Sequence, residues 1–480
     1  MLFNSVQYLA FFPIVVLLFY LISVEKRWFF LLLASCVFYG AFIPAYLFIL
    51  FFIIVVDYFS GIMIEKSDEK QAKYYLFASI FVNLSTLFIF KYYNFFIENA
   101  SIFFQNEDNL PFLNVILPIG LSFHTFQAMS YTIEVYKGNQ KAEKHFGIYA
   151  LYVMFFPQLV AGPIEKPQQL LPQLHALKKV VFDEKNTSDG LRLMLWGLFK
   201  KVVIADRLAL LVEPVFQNPQ DYPSVTVAIA VLFFTIQIYC DFSGYSDMAL
   251  GSAQIFGIKM SQNFKFPYFA SSISDFWTRW HISLSSWFRE YVYIPLGGNR
   301  VSMGLLFRNI LIVFLLSGFW HGANWTFIVW GLLHGIYLIF GILWSKISFL
   351  KNLKIPKIIN IIFTFCLVSF TWIFFRATSI SSAFYIAKKT FLGITNLEEI
   401  KLLCLGRLII AEVFSRIDLI LYFFLIVFLF FVEYFIQKNK FISLLEKMPR
   451  YQRWAFYYAF IFIIFLFGVF QNRQFIYFQF

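Results

Sequence analysis

The stretch Phe319-Trp320-His321-Gly322-Ala323-Asn324-Trp325 sets a histidine inside an apolar run long enough to cross a bilayer. That run extends from Phe307 to Trp344 without an acid, and Arg308 at its start is its only arginine or lysine. An ionisable side chain at such depth is costly to desolvate and marks a functional position by default. A neutral imidazole suits the place, because it accepts a proton near neutral pH without holding a permanent charge. Gly318 and Gly322 leave room for close approach of a helix or ligand, and Asn324 and Trp325 share the face of His321. His334 lies 13 residues further on. On a continuous helix it would sit about 20 Å away and turned off the His321 face, so a structural role is expected.

The rest of the chain is built for the same solvent. Of 480 residues, 60% are hydrophobic, 22% aromatic and only 14% charged, with 68 phenylalanines. No water-soluble domain buries so much apolar surface, so an all-α, polytopic membrane protein is expected. The clearest spanning segments are Tyr8–Ile22, Tyr46–Ile64, Tyr75–Phe96, Val225–Cys240, Ile310–Trp344 as a pair, Ile358–Phe375, Leu419–Ile436 and Trp454–Phe470. Shorter or more polar candidates lie around Trp28–Phe42, Leu113–Tyr136, Phe146–Val160 and Leu191–Phe216. Roughly ten to thirteen transmembrane or re-entrant helices are expected in one domain over residues 1–480. The first segment lacks a basic leader and a cleavage site, so it should stay as an anchor.

The net charge of +12 comes from bases in short loops between apolar runs, which reads as positive-inside topology and not nucleic-acid binding. Lys346–Lys357 and Lys438–Arg453 are the best cytoplasmic candidates. The polar stretch Gly162–Gly190 reads as a surface loop with a short helix. Cys36, Cys240, Cys366 and Cys404 are scattered, which argues against a disulfide framework or thiolate metal site.

The centre, about 240–344, mixes polar residues with tryptophans and is the expected catalytic region. On one helix Trp277, Trp280, Leu284, Phe288 and Tyr291 would form a stripe, with Arg279, Ser283, Ser286 and Glu290 opposite, as in an amphipathic helix. His281 borders that stripe and is either a functional group or an interfacial histidine. Asp241–Asp247 either binds a cation or substrate or forms a loop satisfying its own backbone. His145 and His175 read as solvated bystanders, and His124 as a structural hydrogen-bonding residue near Gln127. No HExxH, CxxC, GxSxG or Walker-type motif occurs, so nothing supports zinc hydrolysis, redox chemistry or nucleotide hydrolysis. In the aromatic tail, 471–480, Tyr477 is either an interfacial anchor or an acyl acceptor. A phenol of pKa about 10 leaves more readily than a sugar hydroxyl, so its ester can sit between a thioester donor and a sugar ester.

These blocks resemble the membrane-bound O-acyltransferases, above all their bacterial alginate and peptidoglycan O-acetyltransferase branch. The resemblance rests on Met1–Phe12, Phe155–Pro163, Asp241–Leu250 (DFSGYSDMAL), Asn263–Phe269, Asp275–Gly298, Ser317–Trp325 (SGFWHGANW) and the final FIYFQF. It implies tilted helices around a buried tunnel, His321 as principal catalytic histidine and His281 as a second functional position. It also lends weight to Tyr477 as an acyl shuttle. Neutral His321 would act as general base, with Asn324, Trp325, Arg289 or backbone amides supporting the oxyanion. The expected donor is acetyl-CoA or another cytoplasmic acetyl thioester, with no bound cofactor and no metal. The expected partners are membrane lipid, a periplasmic acetyltransferase and a polysaccharide acceptor, in the bacterial cytoplasmic membrane. The alternative is a solute or lipid transporter without covalent chemistry, though the inverted repeats and paired broken helices common in transporters are not evident.

Overall fold

The computed structural model describes residues 1–104, 111–347, 355–405, 416–438, 447–470 and 474–478. Among these, every regular element is helical. Seven helices are long and apolar enough to cross a membrane: Tyr46–Lys66, Glu69–Ser101, Ser224–Ile255, Met303–His321, Trp325–Lys346, Lys357–Arg376 and Ile417–Gln437. Val6–Leu21 is a shorter apolar helix. The chain is therefore a polytopic α-helical membrane protein, as its hydropathy predicts.

Beside these seven spans among the described residues, the other expected segments are Val6–Leu21 and Arg450–Phe467, both read as clear spans, and the shorter candidates. Arg27–Gly40 has only 14 residues, about 21 Å of helix against a hydrocarbon core of about 30 Å. The Phe146–Val160 candidate divides into Phe146–Met154 and Phe156–Leu159, and Leu191–Phe216 is interrupted by a π-helical turn over Phe199–Ala205. The final apolar helix, Arg450–Phe467, is 18 residues long. Parts of the two basic loops, 348–354 and 439–446, lie outside the described residues, as do Gln479 and Phe480 of the tail.

The chain divides into two compact units. The first comprises Met1–Gly197, Tyr245–Gln262 and Tyr477–Phe480. In it, Tyr46–Lys66, Glu69–Leu87 and Leu121–Tyr136 pack against one another around a buried polar knot. Ser79 Oγ donates to Asp57 Oδ1 at 2.5 Å, and Asn83 Nδ2 donates to both Asp57 oxygens at 3.0 and 2.9 Å. Outward-facing Phe52, Phe81 and Leu17 are more than half exposed, a lipid-facing belt. The polar Gly162–Gly190 stretch is a loop and the short helix Pro167–His175, but its start is not superficial: Glu165 is 1% exposed and binds the Ser261 backbone N–H at 2.6 Å.

The second unit comprises Leu198–Gly244 and Asn263–Ile476. Its best-packed pair is Met303–His321 and Trp325–Lys346, an antiparallel hairpin in which Gly318 faces Gly331. A Cβ on Gly331 would fall 2.2 Å from the Phe314 carbonyl oxygen, and one on Gly318 would fall 2.3 Å from that of Phe327. Small residues let helix backbones approach this closely where no hydrophobic effect drives them together. Gly331→Ala must therefore push backbone apart, at about 1–3 kcal/mol or more. The variant is expected to unfold several degrees below the parent when melted in detergent; an unchanged melting temperature would refute the close-packed hairpin.

Candidate functional site

His321 is the last residue of helix Met303–His321 and is 4% exposed. The helix ends there because Gly322 turns to extended backbone and the next helix starts at Trp325. Asn324 caps that start: its side-chain oxygen accepts the Thr326 N–H at 3.0 Å, and its amide donates to the Thr378 carbonyl at 3.1 Å. Gly322 is pressed against the Phe327 ring, which leaves no space for a Cβ. The imidazole is walled by aromatic rings, with centroids of Trp320 and Trp330 at 5.0 Å and Phe375 at 5.2 Å. Trp330 in turn stacks on Trp372 at 5.7 Å, and both indoles are fully buried.

The helix break also relocates His334. It stands across Trp330 from His321, at 5.0 Å from that ring. The Trp277 indole N–H donates to His334 Nδ1 at 3.3 Å, and Nε2 lies 3.0 Å from Thr371 Oγ1, whose hydroxyl donates to the Val368 carbonyl. Both ring nitrogens are therefore satisfied with the proton on Nε2. His334 is a structural prop for Trp277 and Trp330, as its position suggests, but the 20 Å separation assumed an unbroken helix and does not hold.

The single amphipathic helix expected through Trp277–Tyr291 is also broken. Ile273–Trp277 and Ile282–Phe288 are separate helices, followed by a π-helical turn over Arg289–Tyr293. Between them His281 takes φ 43° and ψ 55°, a left-handed conformation that costs a non-glycine residue roughly 1–3 kcal/mol. Its surroundings impose it: Asn263 accepts the Ile282 N–H at 3.0 Å through its carbonyl and the Ser283 hydroxyl at 2.6 Å through its side chain. The turn buries Trp280 and His281 to 1% exposure, so His281 is an interior and not an interfacial group. Its ring meets Phe242 at 4.7 Å and Trp320 at 6.2 Å. Burial lowers its pKa from the ordinary 6.5 to about 3, so the imidazole is neutral at physiological pH.

Trp320 thus neighbours both His281 and His321, and the structure brings these two predicted residues together. Arg289 and Trp325 are exposed, and Asn324 already uses both ends of its amide. Tyr477 is half-buried in a 3-10 turn over Ile476–Phe478. His145 and His175 are both exposed, as expected; His145 caps helix Phe146–Met154, and His175 pairs with Glu143 at 2.7 Å. His124 is buried and bonds the Leu159 backbone, in line with the structural role expected of it. Asp241 belongs to neither a loop nor an open cation site. It lies within helix Ser224–Ile255, 2% exposed, and accepts from Lys201 Nζ at 2.5 Å. The sequence reading missed Trp330, Trp372 and Phe375 as cage residues. The i, i+4 spacing of Trp330 and His334 was the available signal. Among the described residues, no three of His, Cys, Asp and Glu gather as a metal site.

Known proteins resemble this chain over most of its length. The model of the membrane-bound O-acyltransferase family matches residues 144–380, which include His281 and His321. The chain is 39% identical over 388 residues to a peptidoglycan O-acetyltransferase of Helicobacter pylori, covering 76% of this chain and 73% of that one. It is 37% identical over 394 residues to a probable alginate O-acetylase of Pseudomonas aeruginosa, covering 80% and 73%. A teichoic acid D-alanyltransferase of Streptococcus thermophilus is 28% identical over 250 residues, covering 48% and 57%. The resemblance visible in the sequence blocks is thereby confirmed over most of the chain: this enzyme is an O-acyltransferase and belongs to the membrane-bound O-acyltransferase family.

Proposed function

We propose that this enzyme moves an acetyl group from a cytoplasmic thioester, acetyl-CoA or a relative of it, to hydroxyls of an extracytoplasmic polysaccharide. Peptidoglycan or an alginate-like polymer is the acceptor, and the bacterial cytoplasmic membrane is the location. The observation that carries this reading is His321: a buried imidazole at the break of a spanning helix, walled by aromatic rings, inside the region matched by the family. Acetyl is favoured over D-alanyl because identity to the O-acetylating relatives is 37–39%, against 28% for the D-alanyltransferase.

His321 acts as general base. It takes the proton of an attacking hydroxyl as that oxygen bonds to the thioester carbonyl carbon. When the tetrahedral intermediate collapses, the carbon–sulfur bond breaks and the imidazolium returns the proton to the leaving thiolate. Tyr477 is the first acceptor, giving an acetyl phenol ester. A periplasmic partner then transfers that acetyl to a sugar hydroxyl and regenerates the phenol. His281, neutral and beside Trp320, supports the site from its constrained turn. Asn324 serves the break that positions His321, and the exposed Arg289 and Trp325 take no part in oxyanion support. Passage of the acetyl group through the helix bundle belongs to this reading.

His321→Gln is expected to lower acetyl transfer by about 10²–10⁴-fold, the usual worth of a general base, with thermal stability close to the parent. Purified protein in liposomes supplied with radiolabelled acetyl-CoA gives the measurement; transfer within threefold of the parent would sink the assignment. His281 gives a separate test through stability. Its folded pKa is about 3 against 6.5 unfolded, so between those values the unfolded state binds the extra proton. Stability is then full above about pH 6.5 and is lost as pH falls, by up to about 1.4 kcal/mol per unit. Melting curves from pH 7 to 5 should fall less steeply for His281→Asn than for the parent, and parallel slopes would contradict a buried neutral His281.

A further inference from the structure

The mechanism above leaves one buried charged cluster unused. Lys201, Asp206 and Asp241 are 1%, 3% and 2% exposed, with Lys201 Nζ at 2.9 Å from Asp206 Oδ1 and 2.5 Å from Asp241 Oδ1. Three charges withdrawn from water need hydrogen bonds as well as mutual attraction to persist. One of those bonds comes from far along the chain: the Ile476 backbone N–H donates to Asp241 Oδ2 at 2.7 Å, across 235 residues of sequence. The neighbouring Phe475 ring lies 4.3 Å from Lys201 Nζ, a cation–π contact. Phe475 and Ile476 are 2% and 4% exposed, so these two residues are seated in the protein.

The same short segment also holds the approach to the tail. Arg207 Nε donates to the Phe467 carbonyl at 2.8 Å, at the end of helix Arg450–Phe467, and the Val469 N–H donates to the Val202 carbonyl at 2.9 Å. Lys201 and Val202 sit on the π-helical turn Phe199–Ala205. The extra residue of such a turn re-aims side chains, and such turns recur at functional sites. Four separate ties therefore run from residues 201–241 to residues 467–476, and the residue after the last of them is Tyr477.

We propose that Lys201 and Asp241 form a clasp that seats the C-terminal tail and presents Tyr477 for acylation, making both positioning residues for acetyl transfer. This rests on the reading of Tyr477 as first acceptor. Asp241 does two jobs with two oxygens, holding Lys201 with one and the tail backbone with the other. The clasp recognises the tail through a main-chain N–H and one aromatic ring. Because Lys201 keeps Asp206 when Asp241 is removed, the cluster can be opened without stranding a buried cation.

The test uses full-length protein in nanodiscs with acetyl-CoA, reading hydrogen–deuterium exchange of the C-terminal peptide and the rate of Tyr477 acetylation by peptide mass. Ile476→Pro deletes the main-chain N–H, at the first position of a helical turn where proline fits, and also exchanges the buried side chain for a ring; Ile476→Val keeps the N–H. A hydrogen bond to a charged group is worth about 10- to 100-fold. Ile476→Pro and Asp241→Leu are both expected to lose exchange protection of the tail and to slow Tyr477 acetylation by that factor. The KM for acetyl-CoA should be unchanged, and Ile476→Val should stay within twofold of the parent. Unchanged tail exchange in both variants overturns the clasp, and full Tyr477 acetylation from a released tail overturns its positioning role. Tyr477→Phe separates the two ideas: undiminished acetyl transfer by that variant removes the shuttle, and the clasp then stands or falls on tail exchange alone.

Discussion

Hydrocarbon offers no water to an ionisable group, and the polar architecture of this enzyme follows from that constraint. Among the described residues, several buried charged or titratable side chains have a specific solution. Lys201 is held between two carboxylates. Asp57 takes donors from Ser79 and Asn83. His334 is bonded at both nitrogens. His281 meets the constraint by staying neutral, and aromatic rings line it and His321. Rings are apolar enough to exclude water, and their polarisable faces tolerate an imidazole at 5 Å.

The same constraint decides what could be read from the sequence. Hydropathy is a property of continuous segments, so long spans such as Tyr46–Lys66 and Lys357–Arg376 stand out. His321 is legible because one histidine in an apolar run contradicts its surroundings. The breaks were harder. Trp277–Tyr291 has a helical period, yet Asn263 captures the backbone at Ile282 and forces His281 into a left-handed turn. Tertiary hydrogen bonds of that kind leave no trace in local pattern. Trp330, Trp372 and Phe375 escaped notice for the opposite reason: in a chain with 22% aromatics, three more rings in spanning helices look like lipid-facing residues. The Lys201–Asp241 pair joins positions 40 residues apart, so although Asp241 stands out in its segment, its partner is not legible from local pattern.

Breaking a spanning helix at the base serves the proposed chemistry in two ways. The turn 322–324 reverses the chain, so Trp330 folds back against His321 and His334 meets the same indole, where an unbroken helix would have carried both out of reach. It also leaves His321 at a helix C-terminus. There the unpaired carbonyls present partial negative charge, which favours a cation within the last turn. On the proposed mechanism the imidazole becomes a cation only transiently, after taking a proton from the attacking hydroxyl. A helix end stabilises that transient state without placing a permanent acid beside the ring, and a permanent acid there would itself need solvation. Gly318 and Gly331 are what allow the hairpin to close tightly enough for this arrangement. The site's electrostatics therefore depend on two hydrogen atoms that stand where any other residue would have a carbon.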